Sequence, residues 1–398
     1  MIVYIKPSRA RGAVTAPPSK SEAHRALICA ALSGGCRVDN VEQSDDIKAT
    51  LGALEALGAK ARVGKNSVTL GGLSAEKITD TNIFANESGS TLRFILPLCM
   101  ISGKRITFTG AKRLFARDLS VYGDIAKENG IEFSLSEDSL TVKGKLSHGK
   151  YRIRGDISSQ FVSGLMFALP LLEGDSEIEF TTPVFSKPYI DITVKTLSRF
   201  GVKITENENG YYIKGNQRYN ALNYRVEGDY SNAAPLEAFN LLGGGVTVKG
   251  LKPDTAQGDR VYKEIFKTLS SGGSYDLSDC PDLAPLLFAL AAAFSGARFT
   301  GTARLKIKES DRAQAMKEEL SKLGADIRVS ADEVTVRAAK LHAPDCILDS
   351  HNDHRVVMAL CVLLSVYGGA VSGAEAINKS FPGFFEVLKN LGIEVEVK

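Results

Sequence analysis

The 398-residue sequence has no tryptophan, only five histidines, and no apolar run near the roughly 18 residues that a membrane span requires. Met1 leads straight into the alternating segment IVYIKP, without the charged, apolar and small-residue regions of a secretory signal. A cytoplasmic protein without a membrane partner is expected. The six cysteines (Cys29, Cys36, Cys99, Cys280, Cys346, Cys361) show neither CxxC nor Cys/His spacing and lie mostly in apolar runs, which reads as reduced core thiols. His351 and His354 are spaced as a conceivable metal pair, but no second ligand cluster accompanies them and no metal is expected. There is no GxxxxGK(S/T) loop, no GxGxxG after a strand and no GxSxG elbow, so nothing calls for a nucleotide or another organic cofactor. The net charge of +3 comes without a Lys/Arg block, which gives no case for a nucleic-acid partner.

The chain is too long for one ordinary hydrophobic core, which stops growing near about 250–300 residues, so two domains are expected. The sequence returns repeatedly to a helix end, a glycine and two short alternating strands. The copies are EALGAKARVGKNSVTLGG, KENGIEFSLSEDSLTVKG, SRFGVKITENENGYYIKG and SKLGADIRVSADEVTVRA, with half a copy in KNLGIEVEVK and a degenerate one in LSSGGSYDLSDCPDLAP. The glycine suits a left-handed helix C-cap, and an amphipathic helix precedes it. Segments such as FVSGLMFALPLL, APLLFALAAAF and HRVVMALCVLLSV are apolar on nearly all sides and belong inside a domain. The reading is α/β, with three βαβαββ units around buried helices in each of two domains. The polar, turn-rich stretch at residues 216–235 and the prolines of TAPPSK mark the crossings. Residues 1–17 and 226–398 then form one domain, and residues 18–225 form a second, inserted domain.

Charged and hydroxyl side chains recur at the helix starts. Ser19 and Glu22 have capping-box spacing, Ser21 and Arg25 share a helix face, and Lys20 adds a charge where backbone N–H groups already attract anions. Taken alone this is an ordinary solvated helix start. Comparable sets follow at Gly89, Ser90 and Arg93, at Lys112, Arg113 and Arg117, and at Ser158, Ser159 and Gln160. More appear at Ser186, Lys187 and Tyr189, at Asp282, at Lys308, Glu309, Asp311 and Arg312, at His354 and Arg355, and at Lys379. Each admits a plain capping or solvation reading, with Ser310 or Asp311 able to cap the helix at Arg312. Their recurrence at corresponding places implies a cleft lined by helix N-termini and about six cations, suited to phosphate- or carboxylate-bearing small molecules.

The segments PSKSEAHR, ESGSTLR, ISSQF, SKPYIDIT, VEGDYSNAA, PDLAP, KESDR, NDHR and KSFPGFFE, in this order, resemble the 5-enolpyruvylshikimate-3-phosphate synthase family over the whole chain. The resemblance implies the two-domain enolpyruvyl transferase fold, an inside-out α/β barrel. It also implies transfer of the enolpyruvyl group of phosphoenolpyruvate to the 5-hydroxyl of shikimate-3-phosphate, on the route to chorismate and aromatic amino acids, by a cofactor-free monomer. Shikimate-3-phosphate would be held by Lys20, Ser21, Arg25, Ser158, Ser159, Gln160, Ser186, Tyr189, Asp282 and Lys308. Phosphoenolpyruvate would be held by Lys20, Gly89, Arg117, Gln160, Glu309, Arg312, Arg355 and Lys379. Lys20 and Glu309 are the implied proton carriers for the enolpyruvyl group, and Asp282 is the implied base for the hydroxyl. Two positions depart from the family pattern: Asp118 follows Arg117 where proline is common, and Arg304 stands where some members have asparagine. Two alternatives stay open, a sister enzyme acting on UDP-N-acetylglucosamine and a non-catalytic anion-binding relative. The first usually has asparagine after the lysine and a cysteine in the reactive loop, where this chain has Ser21 and GAKRLFARDL.

Overall fold

A computed structural model describes all residues, Met1–Lys398. The chain divides into two compact units, one made of Met1–Ser19 with Gly228–Lys398 and the other of Lys20–Glu227. No helix is long and apolar enough to cross a membrane.

In the Lys20–Glu227 unit the repeat is clearest at its centre. Strand Thr81–Asn86 pairs in parallel with Ile106–Gly110, which pairs antiparallel with Ser139–Lys143, and Glu132–Leu135 closes the hairpin. A parallel pair needs a long crossover, and helix Gly89–Ser102 supplies it. Every side chain from Thr91 to Ile101 in that helix is buried, as the all-round apolar sequence requires. The strands Lys150–Ile153, Ser176–Phe180, Gly210–Ile213 and Ile204–Asn207 repeat the arrangement, with Ser159–Ala168 as the buried crossover helix. The two crossover helices approach closely at Gly164, where a Cβ would stand 2.1 Å from the Arg93 carbonyl oxygen and 2.3 Å from the Tyr122 hydroxyl. Only glycine fits there. The third sheet takes its first strand from the far end of the unit, Tyr224–Arg225 lying parallel to Arg37–Asp39.

The other unit follows the same plan around helices Tyr230–Leu241, Ala284–Ala293 and His354–Tyr367. The half-copy KNLGIEVEVK is completed by the opposite end of the chain, with Ile2–Ile5 lying antiparallel between Gly369–Ser372 and Val395–Val397. The degenerate copy forms no hairpin. Its strand Ser274–Asp276 starts the next sheet, parallel to Gly296–Thr300, and the parallel pair Arg11–Thr15 with Gly245–Lys249 stands as a two-stranded sheet. The repeat glycines Gly58, Gly130, Gly201, Gly324 and Gly392 all have positive φ, between 65° and 105°; the first four turn a helix end into a hairpin, and Gly392 turns one into the single strand Val395–Val397.

Candidate active site

In the Lys20–Glu227 unit, Arg25 lies one turn inside helix Lys20–Leu32 and is only 2% exposed. It donates from Nε to Thr193 Oγ1 (2.6 Å), from Nη1 to the Ser21 carbonyl (2.5 Å), and from Nη2 to the Tyr189 carbonyl (2.9 Å) and Ser163 Oγ (3.4 Å). Its guanidinium also sits over the Phe94 ring at 4.8 Å. Burial lowers the Arg25 pKa to about 10, so it stays charged at neutral pH. One buried cation thus fastens three helices whose starts carry Lys20 and Ser21, Ser158 to Gln160, and Ser186. Ser158 caps its helix by accepting from the Gln160 N–H, and Ser186 takes the left-handed conformation (φ 57°) ahead of the helix holding Tyr189. Glu22 binds the Tyr224 hydroxyl and the Glu227 N–H.

Lys20 Nζ donates to Asp46 Oδ2 at 2.6 Å. Beside this pair runs a buried polar chain, His24 Nδ1 to Thr50 Oγ1, Thr50 to Thr91 Oγ1, and Thr91 to Ser88 Oγ, which ends on the cap of helix Gly89–Ser102. Burial, aided by Lys20 and Arg25, holds His24 well below its ordinary pKa, so the ring is neutral.

Two guanidinium groups converge on Gly89. A Cβ placed there would stand 2.8 Å from Arg93 Nη1, 2.8 Å from Arg117 Nη1 and 3.3 Å from Gln160 Oε1. Arg93 donates to Gln160 Oε1 (3.1 Å) and to the Asp118 carbonyl (3.2 Å), and lies over Phe161. The Gln160 amide in turn donates to Ser90 Oγ (3.0 Å). The bare Cα of Gly89 and two cations make a cradle for an anionic group. Asp118 Oδ1 accepts from the Ser120 N–H (2.8 Å) at the start of the next helix.

In the other unit, Asp282 receives Arg312 Nη1 at 2.7 Å and Arg355 Nη2 at 3.0 Å, with Lys308 Nζ 3.8 Å away. Burial alone would raise its pKa, but the pull of Arg312, Arg355 and Lys308 wins and holds the carboxyl well below the usual range. Arg312 has a 1% exposed side chain and also donates to Glu309 Oε2 (2.8 Å) and Asp353 Oδ2 (2.9 Å). Burial opposes its charge, and Asp353, Glu309 and Asp282 more than restore it. Asp311, not Ser310, caps its helix, while the Ser310 hydroxyl donates to Asp353. Arg355 Nη1 donates to Asn232 Oδ1 (2.9 Å), and Lys379 Nζ to the Asn352 carbonyl (2.6 Å). Burial outweighs Asp282 at Lys308 and brings its pKa down to about 8. Asp259, 2% exposed and bonded to the Ser231 hydroxyl, is raised to about 7 by burial and by the neighbouring Asp282 charge.

The sequence profile of the EPSP synthase (3-phosphoshikimate 1-carboxyvinyltransferase) family matches residues 5–388. The chain belongs to the EPSP synthase family. It is 42% identical to the 3-phosphoshikimate 1-carboxyvinyltransferase of Clostridium kluyveri, over 99% of this chain and 98% of that relative. In fold it is similar to EPSP synthase from Acinetobacter baumannii, with a TM-score of 0.79 and 21% identity over the whole of both chains. It is also similar to the enolpyruvyl transferase NikO from Streptomyces tendae, with a TM-score of 0.78 and 15% identity over 99% of this chain and 98% of that one.

The family's sequence motifs thus resolve into two sets of residues. Lys20, Ser21, Arg25, Gly89, Arg117, Ser158, Ser159, Gln160, Ser186 and Tyr189 lie in one unit, and Asp282, Lys308, Glu309, Arg312, Arg355 and Lys379 in the other. Within the second set, Asp282, Glu309, Arg312, Arg355 and Lys308 are joined by direct ion pairs. Sequence reading did not assign Asp46, Asp353 or Asp259, or a role for Arg93 beyond its spacing. Asp46 is held by Lys20, 26 residues away, and Asp353 by Arg312, 41 residues away, so neither pair leaves a local mark in the sequence.

Proposed function

We propose that the protein joins shikimate-3-phosphate to phosphoenolpyruvate. The observation that carries the residue assignment is Arg312, which holds Asp282 with one nitrogen and Glu309 with another. A carboxylate for the shikimate hydroxyl and a second for the enolpyruvyl carbon are thereby fixed on one permanent cation. Protonation of the phosphoenolpyruvate methylene by Glu309 or Lys20 leaves a cationic carbon. The 5-hydroxyl oxygen bonds to it and yields its proton to Asp282. The resulting tetrahedral adduct returns a methyl proton to the same Glu309 or Lys20 as its C–O bond to phosphate breaks, which gives the enol ether and inorganic phosphate. Arg117, with Gly89 and Gln160, and Arg312, Arg355 and Lys379 would neutralise the phosphoenolpyruvate carboxylate and the departing phosphate. Ser158, Ser159, Ser186, Tyr189 and Lys308 would receive shikimate-3-phosphate. Ser21 and Arg25 would sit at its ring side, and four of the five Arg25 N–H donors are already spent on orienting the helix starts.

Asp282 is a weak base while both arginines hold it, so anionic substrate that draws Arg355 or Arg312 toward itself would raise its basicity when the hydroxyl arrives. A coupled phosphate-release assay in EDTA tests the reading. Phosphate release requiring both substrates is expected. Silence with shikimate-3-phosphate together with turnover of UDP-N-acetylglucosamine would assign the chain to the sister reaction.

A further inference from the structure

The turn Asp349–Asp353 contains two consecutive non-glycine residues in the left-handed region, His351 (φ 49°) and Asn352 (φ 54°). Such a pair persists only where the surroundings dictate it. The dictating group is Glu319, on helix Arg312–Ser321, whose carboxylate is 1% exposed. Glu319 Oε2 accepts the Asp349 N–H (2.9 Å), and Oε1 accepts His351 Nε2–H (2.9 Å). Lys322 Nζ neutralises the carboxylate with contacts of 2.8 and 2.7 Å to its two oxygens. Although Glu318, Glu319 and His351 stand close enough to suggest a metal site, that lysine already fills the place of a cation. Inside the turn, the His351 N–H donates to Asp349 Oδ1 (2.5 Å), the Asn352 N–H to Ser350 Oγ (3.2 Å), and Ser350 Oγ to the Gly373 carbonyl (2.9 Å).

The other end of the same helix is tied to the same turn through Arg312 Nε and Asp353 Oδ2 (2.9 Å). From that turn three cations take their places. Asp353 holds Arg312, its Oδ1 caps the helix start at the Arg355 N–H (2.9 Å), and the Asn352 carbonyl holds Lys379. We infer that His351 and Glu319 form a clamp that positions Arg312, Arg355 and Lys379 together, and so sets the affinity for phosphoenolpyruvate without touching it. The inference rests on the proposal that these three cations hold phosphoenolpyruvate.

Steady-state kinetics on His351→Leu, His351→Gln and Arg355→Lys test it. Leucine keeps the strained Cβ and loses the N–H donor, whereas glutamine returns a donor near the position of Nε2. For His351→Leu the KM for phosphoenolpyruvate is expected to rise about tenfold, the loss of one charge-assisted hydrogen bond, while the KM for shikimate-3-phosphate stays within about twofold. His351→Gln is expected to restore the KM to within about twofold. If Arg355→Lys raises the KM for phosphoenolpyruvate and His351→Leu does not, the clamp is wrong and the site stands. If His351→Leu raises both KM values together, or glutamine fails to rescue, the residue is merely structural and the clamp is again wrong. An Arg355→Lys enzyme with unchanged KM for phosphoenolpyruvate would overturn the site assignment and the clamp with it.

Discussion

Gly89→Ala isolates the geometry of the anion cradle. The added Cβ would meet Arg93 Nη1 and Arg117 Nη1 at 2.8 Å, whereas ordinary contact begins near 3.4 Å, so both guanidinium groups must retreat by about 0.6 Å. Both obstacles are the ends of flexible side chains, so the backbone has no reason to move. Gly89 has no positive φ, and alanine in a helix is preferred over glycine by roughly 1 kcal/mol, so stability should hold or rise. The displacement is not free for binding. It pushes two cations off their positions and crowds Gln160 Oε1, which Arg93 aligns. Misplacement of binding groups on the scale of 1 Å costs up to about a hundredfold, so the KM for phosphoenolpyruvate should rise by about 10- to 100-fold. The KM for shikimate-3-phosphate should change by less than about threefold, because the seryl helix starts are untouched. Initial-rate kinetics with each substrate varied, alongside thermal unfolding, check this. An unchanged KM for phosphoenolpyruvate at full stability would refute the cradle, and a parallel loss in both substrates with a lowered Tm would refute the claim that only side-chain ends move.

Three further outcomes follow from the ion-pair network. Lys20→Met or Glu309→Ala should cut turnover by at least about a hundredfold, measured by phosphate release, and near wild-type rates would remove those residues from proton transfer. Arg312→Ala should cost about 3–5 kcal/mol in urea unfolding, because Asp353, Asp282 and Glu309 lose their shared, buried cation; a loss below about 1 kcal/mol would mean that these carboxylates are solvated. Asp259 has a folded-state pKa raised to about 7 against an unfolded value near about 4, so its contribution to stability is complete below pH about 4 and is lost as pH rises through 7. Asp259→Asn should therefore gain stability relative to wild type between pH 5 and about 8; thermal unfolding profiles that stay parallel over that range would contradict the buried, protonated carboxyl.

Local signals in the sequence carried the fold. The repeat glycines follow helix ends wherever a left-handed turn feeds a strand, so Gly58, Gly130, Gly201, Gly324 and Gly392 could be read without knowing what they pack against. The degenerate copy misled for the same reason. LSSGG supplies the helix end and the turn, but the single strand after it pairs forward with Gly296–Thr300. At the site, the i,i+4 relation of Ser21 and Arg25 was legible and appears as the bond from Arg25 to the Ser21 carbonyl, while Thr193, Ser163 and Tyr189 approach from other helices and leave no local mark. Glu319 reads as one more solvated helix acid, because its partners at Asp349 and His351 are 30 and 32 residues away and meet it only once the helix lies along the turn.

The strand Ile2–Ile5 has a consequence for biosynthesis. It is synthesised well before its neighbours Gly369–Ser372 and Val395–Val397, which lie at the other end of the discontinuous unit. At about 5–20 residues per second the strand waits roughly 20 to 75 s for its partners. Lys20–Glu227, contiguous in the chain, can collapse during that interval. Translation speed and chaperone contact with the unpaired strand Ile2–Ile5 are therefore expected to govern the yield of the discontinuous unit, and of the arginine network it carries, more than that of the inserted one.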